Sequence, residues 1–378
     1  IVNNQWVYPS PAWQDFLSSA AAYKALDVPV NWAAGTGCTA AKLDAPPSLH
    51  SGIIRDQSTG SWLLAAGTVI DPAEASTDGS LDTLLRDYLV LGEGVFSRLD
   101  GQFAFVIYDA RAETTLVVSD PFGMIPIFFG EKGGQKFIST SGLAVARAVG
   151  SLPNEFGMRA FLLYASTFGD TLWQDVHQLP PATVLKIGRE GMYQSTYWSF
   201  QIDETFTRLS EQQAVDCMIE SFNRSIRRAL EGEGTVWVSL TGGLDSRTLA
   251  ALAHHSQIPF TTYCHGPMDS RDVRIAEQIS HKMGWEYEYF GLPQDWGMQR
   301  ATWFEQVIGQ TDGLLDIIKM SRTIREQTLK AQKMAVSLWG YGGELHRGVY
   351  WKHEFGRAGQ TTRLDYEHLM DYRVIPAG

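Results

Sequence analysis

The stretch Thr235–Leu249 (TVWVSLTGGLDSRTL) concentrates the residue types that handle phosphate. A buried strand over Thr235–Leu240 runs into Thr241-Gly242-Gly243-Leu244-Asp245-Ser246, and a helix starts at Ser246. Two glycines at the end of a strand let the backbone turn sharply and present N–H groups. The helix start adds further amides at its positive dipole end. That is a cradle for phosphate or pyrophosphate. Thr241 and Ser246 can give hydroxyls to phosphate oxygens. Asp245 would repel a phosphate unless a cation stood between them, so it reads as a Mg²⁺ ligand. The same residues also suit an ordinary strand-to-helix turn, with Gly-Gly relieving strain and Asp245 or Ser246 capping the helix. The pattern is neither the G-x-G-x-x-G dinucleotide fingerprint nor the Walker loop that ends in Gly-Lys-Ser/Thr.

The elements around this loop must hold it in place. A helix over Glu211–Leu230 precedes the strand, and further strands follow at Pro259–Cys264, Glu286–Phe290 and Ala335–Trp339. Helical patterns separate them, from Ser246, at Asp272–Met283, at Gln299–Val307 and at Asp316–Gln332. Strands alternating with helices predict a parallel sheet covered on both faces. The first half reads differently. Its strands, Ser61–Ile70, Gly101–Asp109, Thr115–Ser119, Ile125–Phe129, Lys136–Thr140 and Thr183–Ile187, are bounded by turn-forming Asp-Gly, Asp-Pro and Gly-Gly steps, and a Gly188–Gly191 turn closes the region. Helices are expected only at Ser80–Leu91 and Asn154–Leu163 there, an α+β layout with antiparallel sheets. The polar run Gln201–Gln212 reads as the linker between the two halves.

Composition bounds what such a chain can do. Its 378 residues correspond to roughly two to three domains, and 44% apolar with 19% charged residues is globular composition. Lys and Arg total 31 against 42 acidic residues, a net charge of −11. A nucleic-acid partner needs a basic field, and a membrane surface is disfavoured in the same way. An anionic ligand must therefore be held by local geometry, backbone amides or a metal. Cys38, Cys217 and Cys264 are too few and too widely spaced for a disulfide scaffold or zinc cluster, which points to a reduced, cytoplasmic setting. No apolar run reaches ~18 residues and no signal peptide is visible.

Leu240–Ser246 resembles the S-G-G-x-D-S pyrophosphate loop of the ATP-pyrophosphatase fold as carried by the asparagine synthetase superfamily, with Thr241 keeping the hydroxyl of the usual Ser. Trp339–Gly348 (WGYGGELHRG) is similar to that superfamily's second loop, S/T-G-x-G-x-D-E. The resemblance implies that Gly340 lies near ATP and that Glu344 stands where the family has its second metal-binding Asp. It also implies that Tyr263, Cys264 and His265, ending the second strand, line the nucleotide. In the first half, Leu99–Asp109 and Ser119–Phe129 resemble the L-x-G-x-F-A-F…D and R-D-P-x-G-x-x-P-L-Y-Y segments of the family's glutaminase domain. The implied fold class is an Ntn-like αββα sandwich over residues 1–205. An α/β ATP-pyrophosphatase (adenine nucleotide alpha hydrolase-like) domain follows over residues 206–378 and reads as incomplete at its C-terminus.

The sequence also departs from the family. A glutaminase of this class uses an N-terminal Cys whose own amine serves as base. This chain starts Ile1-Val2-Asn3, and Cys38 sits in an internal loop. Where the family has Asn-Gly-Glu-Ile-Tyr-Asn, the chain reads Ala66-Gly67-Thr68-Val69-Ile70-Asp71. The glutaminase half is expected to be inactive. Superfamily members of that kind, β-lactam synthetases and lasso-peptide macrolactam cyclases, adenylate a carboxylate with Mg-ATP and let an amine of the same molecule displace AMP. Tyr341 is similar to the β-lactam synthetase Tyr that helps deprotonate the amine, and a packing role suits it equally. A phenol needs a charged partner to act near neutrality. The family's C-terminal Lys has no assigned counterpart, since Lys352 follows the second loop too closely. Among secondary candidates, Asp272 reads as an acidic helix cap or a nucleotide-side residue, and Arg247 as a phosphate ligand or a solvated side chain. The expectation is an ATP- and Mg²⁺-dependent amide ligase acting on a small molecule or peptide that carries both carboxylate and amine. A precursor peptide or its protease would be a possible partner. An ammonia-using amidotransferase and a non-catalytic ATP-binding scaffold are the alternatives.

Overall fold

The computed structural model describes residues 14–17, 30–43, 52–71, 81–164, 166–201, 203–230, 236–291, 300–315 and 336–340. Contacts divide the chain into two compact units, residues 1–235 with 291–336 and residues 236–290 with 337–378.

In the first unit a six-stranded sheet runs in the order β11-β10-β6-β5-β4-β3. Its strands are β3 (Ile54–Arg55), β4 (Trp62–Ile70), β5 (Asp100–Asp109), β6 (Thr114–Ser119), β10 (Thr183–Gly188) and β11 (Gly191–Thr196). Every neighbouring pair is antiparallel. A second antiparallel sheet has the order β8-β7-β9, from Gln135–Ser139, Phe128–Lys132 and His177–Gln178. A hairpin of β1 (Val30–Gly35) and β2 (Cys38–Leu43) stands as a separate two-stranded sheet.

The layering follows from alternation along each strand, because successive side chains face opposite sides. Phe103, Phe105 and Ile107 of β5, Leu116 and Val118 of β6 and Val184 of β10 face one way. They pack with Leu81, Leu84, Leu85 and Tyr88 of helix α1 (Leu81–Leu91). Ala104, Val117, Leu185 and Ile187 face the other way and meet Phe129 of β7 and Ile138 of β8 between the two sheets. Phe128 and Phe137 then point outward to Ala144, Val145 and Ala146 of helix α2 (Gly142–Val149). The result is helix, sheet, sheet, helix. Helix α3 (Glu155–Tyr164) buries its small residues Gly157 and Ala160.

Two strand boundaries differ from the sequence reading for identifiable reasons. Strand β7 begins at Phe128 and not at Ile125. The buried Asp120 carboxylate accepts the N–H groups of Phe122, Met124 and Ile125 at 2.9, 3.0 and 3.1 Å, which diverts those amides from the ladder. The Gly188–Gly191 turn closes a hairpin whose second strand, β11, was not expected.

The contact division differs from the expected boundary at residues 205/206. Helices α4 (Glu211–Leu230) and α7 (Arg300–Thr311) fall in the first unit. Ser141 Oγ accepts the Ala144 N–H at the start of α2 and donates to Asp312 Oδ1 at 3.0 Å. Leu314 packs on the same α2 layer, so the segment after α7 is tied to the sandwich.

The second unit carries a four-stranded sheet in the order β14-β13-β12-β15. The strands are β12 (Val236–Ser239), β13 (Phe260–Gly266), β14 (Glu286–Gly291) and β15 (Ser337–Leu338). β12 is parallel to both neighbours, and all four of its residues are buried, as a central parallel strand requires. Helices α5 (Leu244–His255) and α6 (Arg271–Met283) connect β12 to β13 and β13 to β14. The expected helix at residues 316–332 lies outside the described residues. Among the described residues no helix is long and apolar enough to cross a membrane.

Candidate active site

Chain order moves outward from β12 through β13 to β14, then returns to β15 on the other side of β12. The carboxyl end of β12 is thus a topological switch point, where parallel sheets open a crevice for ligands. Leu240–Ser246 occupies that end. Leu240 is fully buried, and its N–H donates to the Tyr263 carbonyl at 2.8 Å, continuing the β12–β13 pairing by one residue.

The loop is built by its own hydroxyls. Ser246 Oγ accepts the Thr241 N–H at 3.0 Å and lies 3.0 Å from Thr241 Oγ1, while Thr241 Oγ1 accepts the Gly243 N–H at 3.0 Å. Helix α5 starts from Gly243 in an extended conformation with no side-chain cap. Asp245 and Ser246 therefore lie inside its first turn and do not cap it. By contrast α2 and α6 are capped by Ser141 and Ser270. The uncapped first turn suits an anion at the α5 N-terminus. Arg247 turns back, donating from Nε to the Gly243 carbonyl at 3.1 Å.

The loop after β15 converges on the same place. A Cβ on Gly340 would lie 3.0 Å from Asp245 Cβ and 3.1 Å from the Ser246 nitrogen, so only glycine fits without displacement. The uncapped helix start and a second glycine-bearing loop at a sheet switch point fit the phosphates of a nucleotide, and the Asp245 carboxylate fits a cation carried with them. Asp245 is the described member of the expected metal pair. Glu344 and Tyr341 lie outside the described residues. Among the described residues no group of three or more His, Cys, Asp or Glu is placed to hold a metal.

Tyr263 and Cys264 are both buried. The Tyr263 ring packs against Trp237 and Phe290, and its hydroxyl pairs with Ser337 Oγ at 2.8 Å. Ser337 Oγ also accepts the Trp339 indole N–H at 2.7 Å. What Tyr263 and Cys264 can offer a nucleotide is therefore backbone. The small side chain of Ser337 carries no motif, so its link between β13 and the second loop was not anticipated. Asp272 is not the helix cap: Ser270 Oγ accepts the Val273 N–H, and Asp272 Oδ1 instead accepts the Gly242 N–H at 3.0 Å.

In the first unit, Cys38 opens β2 opposite Gly35 and packs with Ala33, Trp62, Leu64 and Tyr108. Burial pushes its thiol above the ordinary value, opposed by a hydrogen bond with the Thr115 side chain. A buried, protonated thiol at the start of a strand is core, not a nucleophile. Ala66–Ile70 continue β4, paired with β5 from Ala104 to Asp100.

Comparison with known families matches residues 71–198 to the glutamine amidotransferase domain and residues 218–364 to asparagine synthase. The chain is a member of the asparagine synthetase superfamily. This superfamily member accordingly combines an Ntn-like sandwich with an ATP-pyrophosphatase-like α/β domain. It is 22% identical to Amidase chry2 of Gibberella zeae over 70% of this chain and 42% of that protein. It is 21% identical to the probable asparagine synthetase of Dictyostelium discoideum, over 68% and 42%. Carboxyethyl-arginine beta-lactam-synthase of Streptomyces clavuligerus is 23% identical over 59% and 41%. The chain thus spans less than half the length of these curated relatives. A solved glutamine phosphoribosylpyrophosphate amidotransferase from B. subtilis aligns at a TM-score of 0.27 and 15% identity over 57% of this chain and 48% of that one, a likeness too distant to carry an argument.

Proposed function

We propose that this protein is an ATP- and Mg²⁺-dependent amide-forming ligase. ATP would activate a substrate carboxylate as an acyl-adenylate with release of pyrophosphate, and an amine would then displace AMP. The observation that carries the reading is the close approach of Gly340 to Asp245 and Ser246 at the switch point. A turn that only held shape would not need a second loop packed against its first helical turn. Amides of the first turn of α5 bind phosphate oxygens, and the Thr241 and Ser246 hydroxyls hold the loop in shape for them. Asp245 holds the cation, with Glu344 as its partner by resemblance, and Tyr341 assists the amine.

The amine is proposed to belong to the substrate itself, a small molecule or peptide bearing both groups. Ala66–Asp71, at the end of β4 and just beyond it, replace the family's Asn-Gly-Glu-Ile-Tyr-Asn stretch, and a beta-lactam-synthase is among the relatives. A precursor peptide or its protease would then be a natural partner. Cys38, Cys217 and Cys264 form no disulfide, which suits a reduced cytoplasmic setting. The amidotransferase domain match favours a second reading, in which ammonia is the amine.

Pyrophosphate and AMP production separates these readings. Turnover with a bifunctional substrate and no added ammonium supports the first, and strict dependence on ammonium supports the second. ATP binding without pyrophosphate release on any carboxylate would leave a non-catalytic scaffold. Asp245→Ala should cut pyrophosphate release at least ~100-fold. Near wild-type release from that variant would remove Asp245 from the metal site.

A further inference from the structure

The amide of Gly242, at the centre of the glycine pair, is already taken. Asp272 Oδ1 accepts it at 3.0 Å from the first turn of α6, although Asp272 is exposed and could be hydrated instead. A second observation makes this contact a built one. A Cβ on Gly242 would lie 3.1 Å from Asp272 Oδ1 and 3.0 Å from Ile275 Cδ1, so a side chain at 242 would crowd the tips of both and disturb the contact. A carboxylate oxygen and a phosphate oxygen are the same kind of partner for an N–H group: anionic, acceptor-only and of similar reach. The loop thus meets an internal anion where the phosphate would sit.

We propose that Asp272 is a specificity-determining carboxylate that makes the loop reject free polyphosphate and accept it only when a divalent cation accompanies it. The inference rests on reading Leu240–Ser246 as a polyphosphate loop. A bare pyrophosphate reaching for the Gly242 N–H meets a like charge that owns the donor. A cation carried in with the phosphate screens that repulsion, and the exposed Asp272 side chain can swing to water without burial cost. Asp245 adds a second negative charge beside the loop and works in the same direction. Asp272 is then a positioning and selecting residue. It need not touch the reacting atoms.

The test is calorimetric titration with inorganic pyrophosphate, in EDTA and in saturating Mg²⁺, on wild type, Asp272→Asn and Asp272→Ala. Asparagine keeps the Oδ1 acceptor and the loop geometry and removes only the charge. Asp272→Asn should bind pyrophosphate in EDTA at least ~10-fold tighter than wild type, and the gap should close in Mg²⁺. Asp272→Ala should share the gain in EDTA, which separates charge from loop shape. Equal or weaker binding by Asp272→Asn in EDTA, with wild type binding normally in Mg²⁺, would overturn the selector role and leave the phosphate loop standing. Failure of all three proteins to bind pyrophosphate in either condition would overturn the loop reading and the selector with it.

Discussion

A hydroxyl has one proton and two lone pairs, and at Ser246 all of them are used within the loop, on the Thr241 amide, the Thr241 hydroxyl and nearby carbonyls. The loop is therefore shaped before any ligand arrives, which reduces the ordering cost of binding. Residue types made Thr241, Asp245 and Ser246 visible in the sequence, because few residues combine with a glycine pair in that way. Partner identities were not visible: Asp272 lies thirty residues from Gly242, and only the fold joins them. The same holds for Asp109. Its carboxyl is held below the usual range chiefly by the Arg111 side chain, with Nε on Oδ1 at 3.0 Å and Nη2 on Oδ2 at 2.8 Å. A folded-state value below the unfolded one, near 3.8, contributes stability in full above that pH and loses it as pH falls through the lower folded value. Arg111 is half-exposed, so the pair is worth on the order of 1 kcal/mol. Urea midpoints of wild type and Arg111→Met should differ at pH ~7, and the gap should narrow as pH falls below 3.8 and Asp109 takes up its proton. A gap that persists at acid pH would mean that Arg111 acts through packing or through its hydrogen bond to the Leu89 carbonyl.

At the scale of elements, long periodic segments were legible, as were the short apolar strands β8, β12 and β14, while other short elements were not. Helices α1 and α4 and strands β4, β5 and β6 stand within a residue or so of their expected bounds, because alternation or helical periodicity runs long enough to register. The β1–β2 hairpin, helix α2 and strand β9 were missed. β9 has two residues, and α2 is fixed by a Ser141 cap whose hydroxyl also depends on Asp312, far along the chain. The β12–β15 pairing belongs to the same class, since two residues of β15 bring the second loop to the first. This gives Gly340 a sharp role. Gly340→Ala adds a methyl 3.0 Å from Asp245 Cβ and 3.1 Å from the Ser246 nitrogen, so the β15 loop must retreat by a few tenths of an ångström. Pyrophosphate release should fall ~10-fold or more, since misplacement well below 1 Å weakens catalysis strongly, while unfolding free energy moves by under ~1 kcal/mol. Unchanged release would show that the two loops do not act on one ligand.

Across the whole molecule, an acidic chain and a polyanionic ligand must be reconciled. The net charge of −11 places a repulsive field around any approaching nucleotide, so favourable terms must come from within a few ångströms, from amides, hydroxyls and a cation. The described site matches that demand: its cradle is backbone and hydroxyl, Arg247 is bonded to a loop carbonyl, and carboxylates flank it at Asp245 and Asp272. Repulsion acts over a Debye length, ~10 Å at ~0.1 M salt, whereas the short hydrogen bonds are hardly screened. Raising ionic strength should then strengthen binding of cation-free ATP, the reverse of what a basic cleft gives. Affinity measured in EDTA should rise ~2-fold or more between ~20 mM and ~150 mM KCl, and the trend should flatten when Mg²⁺ accompanies the nucleotide. A fall in affinity with salt in EDTA would require a cluster of cations at the phosphates, and would transfer the main binding role from the Gly242–Ser246 backbone to Lys or Arg side chains beyond it.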